Sequence, residues 1–267
     1  MRILFIGDIV GEPGRGIVER TLPRLTQQHR IDLVIANGEN AAAGFGITPK
    51  IAEQFFNLGI GVITGGNHIW DKKEILPFIA GEPRLLRPAN YPADSPGLGS
   101  ILLSVDTRHG GIEKIGVLHL AGRIFMAPSD CPFRSADREI DKLRSETGTI
   151  IVDFHGEATS EKRAMGWYLD GRVSAVIGTH THVQTADEEV LPGGTAYISD
   201  AGMTGPTRSV IGIRKEIAIQ KFLSQMPHRF ETADGPAVLS GVIVETEGSG
   251  KARTIQRLQI EEQFPNG

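Results

Sequence analysis

The apolar positions of this chain fall into two periods. Residues 3–6, 33–36, 61–64, 149–154 and 173–178 are short, largely continuous apolar runs that stop at a glycine or a polar cluster. Runs of that kind form strands buried on both faces. Between them, apolar residues recur three and four apart. Ile17, Val18, Thr21, Leu22 and Leu25 mark a helix opened by Pro13-Gly14 and ending near residue 28, and Ile51, Ala52, Phe55 and Phe56 mark one capped by Thr48-Pro49. Further helices are predicted over 137–146, from a Thr159 cap to residue 169, and over 214–225; Asp71 is read as the cap of a short helix that Pro77 interrupts or restarts.

Turn chemistry completes the pattern. Gly110-Gly111 joins strands at 101–105 and 115–119, Gly193-Gly194 sits between 189–191 and 195–199, and 248–251 turns between the closing strands 238–246 and 252–261. The proline-rich stretch 83–96 is expected to be irregular, 121–135 to be a long polar loop, and 200–213 to be a glycine-rich one. Strands alternating with helices predict an α/β fold. No repeat, low-complexity tract or Gly/Ser linker divides the chain, so a single domain over residues 1–267 is expected.

Composition narrows the classes. With 40% hydrophobic and 22% charged residues this is an ordinary soluble globular chain, and a net charge of −4 gives no sign of a stable nucleic-acid binder. The lone Cys131 permits no internal disulfide and fits a reducing compartment, and nothing around it activates it as a nucleophile. No stretch approaches the roughly 18 apolar residues of a membrane span, and the first strand follows Met1-Arg2 directly, so a cytoplasmic protein without membrane attachment is expected.

Chemistry concentrates where the strands end. Asp8 follows the first run, Glu39 and Asn40 the second, Asn67 and His68 the third, and His155 ends the 149–154 strand. Beyond residues 173–178 come His180 and His182, which at i and i+2 of an extended segment point the same way. Taken singly, each has an ordinary role: Asp8 as a cap, Asn40 and Asn67 as turn residues, His155 as a satisfied core histidine. Together, metal-capable groups at five strand ends suit two cations of five- or six-fold coordination sharing a carboxylate.

The succession Gly7-Asp8-Ile9-Val10-Gly11, Asn37-Gly38-Glu39-Asn40, Gly65-Gly66-Asn67-His68, His155-Gly156-Glu157 and Gly178-Thr179-His180-Thr181-His182 resembles the calcineurin-like metallophosphoesterases, and more narrowly their bacterial YmdB-like branch. Gly122-Arg123, Cys131-Pro132-Phe133 and Gly202-Met203-Thr204-Gly205-Pro206 extend the likeness over essentially the whole chain. The resemblance implies a sandwich of two mixed β-sheets flanked by helices. It also implies a binuclear centre and phosphodiesterase action on small cyclic nucleotides, 2′,3′-cyclic monophosphates above all and 3′,5′-cyclic ones besides, with a role in RNA turnover or signalling.

Carried over residue by residue, Asp8 and His182 would bind one metal, Asn67, His155 and His180 the other, and Glu39 both. The wider superfamily has a histidine where this chain has Val10, and Asn40 would fill that place. Iron or manganese comes first for the two divalent ions, with zinc, nickel or magnesium also compatible with these donors. A hydroxide bridging the ions would attack phosphorus, and His68, facing the substrate, would protonate the leaving ribose oxygen. Asp71 is a candidate to orient an imidazole. Selection of the nucleotide would fall to loops 44–48, 121–135 and 200–213, with Arg123, Arg134, Phe45 and Phe133 as candidates and no residue assigned. A homo-oligomer is expected on family grounds alone. Two other readings share the residues: a phosphomonoesterase or 5′-nucleotidase on the same fold, and a regulatory module that binds a cyclic nucleotide or a protein with incidental turnover.

Overall fold

A computed structural model describes residues 1–261. The chain opens with β1 (Arg2–Ile6), β2 (Asp8–Ile9), α1 (Gly11–Gln28), β3 (Leu33–Asn37), α2 (Pro49–Asn57), β4 (Val62–Thr64), α3 (Ile75–Gly81) and β5 (Leu85–Leu86). A hairpin of β6 (Ser100–Asp106) and β7 (Ile112–Ala121) leads into α4 (Pro132–Arg144), β8 (Ile150–His155), α5 (Thr159–Tyr168), β9 (Ala175–Thr179), β10 (Glu189–Val190) and β11 (Ala196–Ile198). The chain then closes with β12 (Met203–Pro206), α6 (Lys215–Ser224), β13 (Ala237–Thr246) and β14 (Ala252–Glu261).

These strands form two mixed sheets. The first runs β2-β12-β13-β1-β3-β4-β5 with β14 paired to β13, and the second runs β10-β11-β9-β8-β7-β6. In the first, β1, β3, β4 and β5 are parallel while β13 is antiparallel to β1; in the second, β7, β8, β9 and β11 are parallel and the outer β6 and β10 antiparallel. Alternation along β1 shows why they stack. Ile3 and Phe5 join Ile35 and Val62 against Val117, Ile151, Ile177 and Ile198 of the second sheet. Leu4 and Ile6 face the other way, onto Ile17, Leu22 and Leu25 of α1 and Phe55 of α2. Leu118, Val152 and Phe154 likewise meet Ile140 and Leu143 of α4 and Met165 of α5. Each such side chain taken from water contributes about 1.5–3 kcal/mol, so the sheets share one core and the helices form the outer layers.

Local chemistry departs from the sequence reading in five places, the first within the expected loop 200–213, where Met203–Pro206 pair with β2 and β13 as β12. Thr48 does cap α2, accepting from the Ile51 N–H at 3.3 Å, but Ala158 is the residue before α5 and Thr159 already lies inside it. Pro132, pre-set for a first helical turn, starts α4 well before residue 137, so the polar loop after β7 is shorter than expected. Within 83–96, Leu85 and Leu86 pair with β4 as an edge strand. Asp71 caps nothing, because α3 begins at Ile75. Residues 262–267 of the expected 1–267 domain lie outside the described residues. Among the described residues, no helix is long and apolar enough to cross a membrane.

Candidate metal centre

Both sheets deliver polar side chains to one end of the sandwich. From the first come Asp8, Glu39 and Asn40, and Asn67 and His68; from the second come His155 at the last position of β8 and His180 and His182 just past β9. Asp8 and His155 are fully buried, Glu39 is 1% exposed and Asn40 3%. Ligand atoms of Glu39, His155 and His180 lie within 4.8 Å of one another, and so do those of Asp8, Glu39 and His182. Glu39 is common to both triads. Each also has an amide oxygen beside it: Asn67 Oδ1 is 2.8 Å from His155 Nε2, and Asn40 Oδ1 is 3.2 Å from His182 Nε2. All the residues expected to bind metal therefore converge, in two overlapping groups with N and O donors only.

The backbone is shaped to allow this. Gly66 has φ +52°, and a Cβ there would fall on the Glu39 carboxylate. His180 and His182 have φ of 102° and 64°. Non-glycine residues hold that region at a cost of order 1–3 kcal/mol each, which the surroundings must offset. Behind His155, Nδ1 is 2.9 Å from the Thr179 hydroxyl, which donates to Asp153 Oδ1 at 2.7 Å. Asp153 Oδ2 also lies 3.2 Å from His119 Nδ1, and His119 Nε2 accepts from the Gly66 N–H at 3.0 Å. Engaging Nδ1 of His155 from behind leaves Nε2 for the site.

Charge is unbalanced in the protein alone. Burial pushes the Asp8 carboxyl up to about 7, against the pull of His182 and His155 and with Glu39 adding to the rise. Burial would also raise Glu39, but the adjoining His155, 3.0 Å away, holds it at about 2. For His155 burial is overcome by Glu39 and Asp8, which lift it to about 9, while burial and the His155 charge depress His180 to about 3. Asp8 Oδ1 is one of two buried side-chain polar atoms among the described residues with no hydrogen-bond partner. A buried carboxylate oxygen without a donor, within a ring of imidazoles and amide oxygens, is the donor set a divalent cation satisfies, so the residues present fit metals.

A cavity of about 330 Å³ opens from this cluster. Glu39, Asn40, His68, Glu157, His180, Thr181 and His182 form its polar side, and Val10, Phe45, Ile211, Ile213 and Phe230 its apolar one. His68 Nδ1 is 2.9 Å from Asp71 Oδ2, and the imidazole packs edge-on against Phe45 with ring centroids 5.1 Å apart. Asp71 thus orients His68. Loops 44–48 and 200–213 contribute to the lining, but 121–135 does not: Arg123 and Arg134 are exposed, and Phe133 packs on Tyr168 at 5.3 Å. Sequence reasoning missed Phe230, Glu231 and Thr232, which a pairing of Ile213 with Thr232 folds into the cavity wall. They carry no local motif.

A two-sheet α/β sandwich with these strand-end ligand groups is of the metallophosphoesterase type. The chain matches the YmdB-like protein family over residues 4–258, and it belongs to that family. It is 48% identical over 261 residues to the 2′,3′-cyclic-nucleotide 2′-phosphodiesterase of Bacillus subtilis (strain 168), covering 97% of each chain. A putative phosphatase/phosphodiesterase of Mycoplasma pneumoniae is 36% identical over 258 residues, 94% of this chain and 89% of that one. Among solved structures, a hypothetical protein from Thermus thermophilus superposes with a TM-score of 0.92 at 42% identity, over 98% of this chain and all (100%) of that one. A novel phosphatase from Mycoplasma pneumoniae superposes with a TM-score of 0.90 at 34% identity, over 99% and 95%.

Proposed function

We propose that this chain is a binuclear-metal phosphodiesterase that opens 2′,3′-cyclic nucleoside monophosphates. One observation carries the reading: the two groups of donor atoms overlap at a single buried carboxylate, Glu39. The name of the Bacillus subtilis relative supports the substrate. Asp8, Glu39, Asn40 and His182 would hold one divalent ion, and Glu39, Asn67, His155 and His180 the other. Manganese or iron suits these hard and borderline donors. Bound there, two such ions supply positive charge for the phosphoryl oxygens and lower the pKa of water enough to provide a nucleophile near neutral pH.

The chain's own residues do the rest. The hydroxyl of water adds to phosphorus as its other proton passes to solvent, the P–O2′ bond breaks, and O2′ must gain a proton. His68, on the cavity wall with Nδ1 tied to Asp71, presents Nε2 as that donor. Phe45 and Phe230 provide apolar faces for the base. The product is a nucleoside 3′-monophosphate. Action on 3′,5′-cyclic nucleotides, self-association and a cytoplasmic location belong to the same reading.

The test is to load the full chain with Mn²⁺, count metals, and assay 2′,3′-cyclic AMP, 3′,5′-cyclic AMP, a dinucleotide and a nucleoside monophosphate beside Glu39→Gln. About two metals per chain and cleavage of the 2′,3′-cyclic diester, lost in the variant, support the proposal. Preferential release of phosphate from the monoester would make it a phosphomonoesterase instead.

A further inference from the structure

Behind the histidine turn lies a buried ion pair that the mechanism does not use. Lys162, on α5, is 1% exposed, and its Nζ donates to Asp200 Oδ2 at 2.7 Å. The same oxygen accepts from the Thr181 N–H at 3.0 Å and the Thr181 hydroxyl at 2.8 Å. Oδ1 accepts from the Gly202 N–H at 2.8 Å. The lysine stem passes beside Gly178 of β9, where a Cβ would fall on the Ser199 carbonyl and would also meet Lys162 Cδ at 3.1 Å.

Core stability does not account for such a pair. An apolar pair of similar volume packs a helix onto a sheet as well or better, since two charges must first leave water. What Lys162 and Asp200 supply is direction. Three donors converge on one carboxylate oxygen, and two of them belong to Thr181, the residue between His180 and His182. Those histidines occupy the left-handed backbone region, so the turn keeps its shape only while its surroundings restrain it. Asp8 restrains one end through the His180 N–H at 3.1 Å, and the Ile211 carbonyl holds His182 Nδ1 at 2.8 Å. Asp200 holds the middle.

We propose that Lys162 and Asp200 are positioning residues that keep the His180-Thr181-His182 turn in its ligating shape before metal arrives. Metal affinity then depends on a helix lysine that touches neither metal nor substrate. The proposal rests on reading His180 and His182 as ligands, and it extends that reading to residues outside the site.

The experiment uses the full chain stripped of metal by a chelator. Parent, Asp200→Glu and the paired Lys162→Met/Asp200→Asn variant, which leaves no buried charge alone, are compared in two arms. In the first, backbone hydrogen exchange at residues 180–182 of the metal-free protein is expected to quicken by about 10-fold in the paired variant while the β8 and β9 amides keep their rates. In the second, Mn²⁺ uptake is expected to weaken by about 10- to 100-fold, the range for partners that orient a metal ligand. Activity on 2′,3′-cyclic AMP should then be restored by excess Mn²⁺ with KM for the nucleotide unchanged. A pair that only braces the fold would lower the melting temperature and leave the turn's exchange and the Mn²⁺ affinity at parent values, which overturns the proposal. If the paired variant does not fold, Asp200→Glu, which keeps both charges but shifts the carboxylate away from Thr181, decides: faster exchange at the turn supports positioning, and parent exchange overturns it. If the parent itself takes up no Mn²⁺, the metal reading fails while the exchange arm still settles the positioning.

Discussion

The floor and the rim of this site are built differently. The floor is buried: Asp8 opens β2, Glu39 lies just past β3 and His155 ends β8. The rim, His68, Phe45, Ile211, Phe230 and Glu231, sits on loops and is open to solvent in varying degree. His155 and His180 show the contrast within one pair of rings, 4.7 Å apart: the buried one is lifted to about 9 by two carboxylates, the half-buried one depressed to about 3. On the proposed function, the floor would set charge and therefore metal binding, and the rim would set which phosphate is presented and how its leaving group is protonated. Substitutions in the two regions should accordingly fail in different ways.

The largest effect belongs to the floor. Glu39→Gln removes the charge shared by both donor groups, and turnover should fall by roughly 10³-fold, the upper range for deleting one electrostatic element of a site, with metal content by elemental analysis dropping alongside it. His68→Asn on the rim should lower kcat by about 10²-fold, as for loss of a general acid, while metal content stays at the parent value. If metal is lost with His68, the division between floor and rim is wrong. Phe45→Ala or Phe230→Ala should raise KM about 10-fold, the worth of one aromatic face under a base, and leave kcat near the parent's. Arg123→Ala and Arg134→Ala, exposed and away from the cavity, should change neither constant measurably.

The floor's charge also fixes the pH dependence of metal-free stability. Folded His155 titrates at about 9 against a usual 6.5, so between those values the folded chain holds a proton that the unfolded chain has released. Asp8, raised to about 7 from 3.8, acts in the same direction up to neutrality, and His180, held near 3, acts oppositely only below 6.5. Stability of the metal-free chain should thus decline as pH rises from 6.5 to 9. Metal ligands are deprotonated when bound, so the loaded chain lacks this decline. The gap in melting temperature between loaded and stripped protein should widen over that interval, and scanning calorimetry at several pH values measures it. A constant gap would mean that His155 carries no proton in the metal-free fold.

This contrast also explains what the sequence could reveal. A strand ending in a glycine beside an acid or imidazole is a local pattern, and it places Asp8, Glu39 and His155 at strand ends. Rim residues lacked that signal. Phe230 to Thr232 reach the cavity through a tertiary bridge to Ile213, and nothing in their immediate sequence marks it. Lys162 carries no local mark of burial, and its bond to Asp200 is a contact between residues 38 apart. Asp71 is open to two readings in the sequence, a helix cap and a partner for an imidazole, and three residues after His68 it takes the second. Pro132 carries the signal of a first helical turn, set among polar residues that read as loop.

The central claim is that one carboxylate joins two cations across the seam between the sheets. Anomalous diffraction at the manganese edge from crystals of the Mn²⁺-loaded chain tests it most directly. Two peaks about 3.5–4 Å apart, with Glu39 bound to both, are the expected result. A single peak, or two peaks with Glu39 bound to only one, would contradict the account.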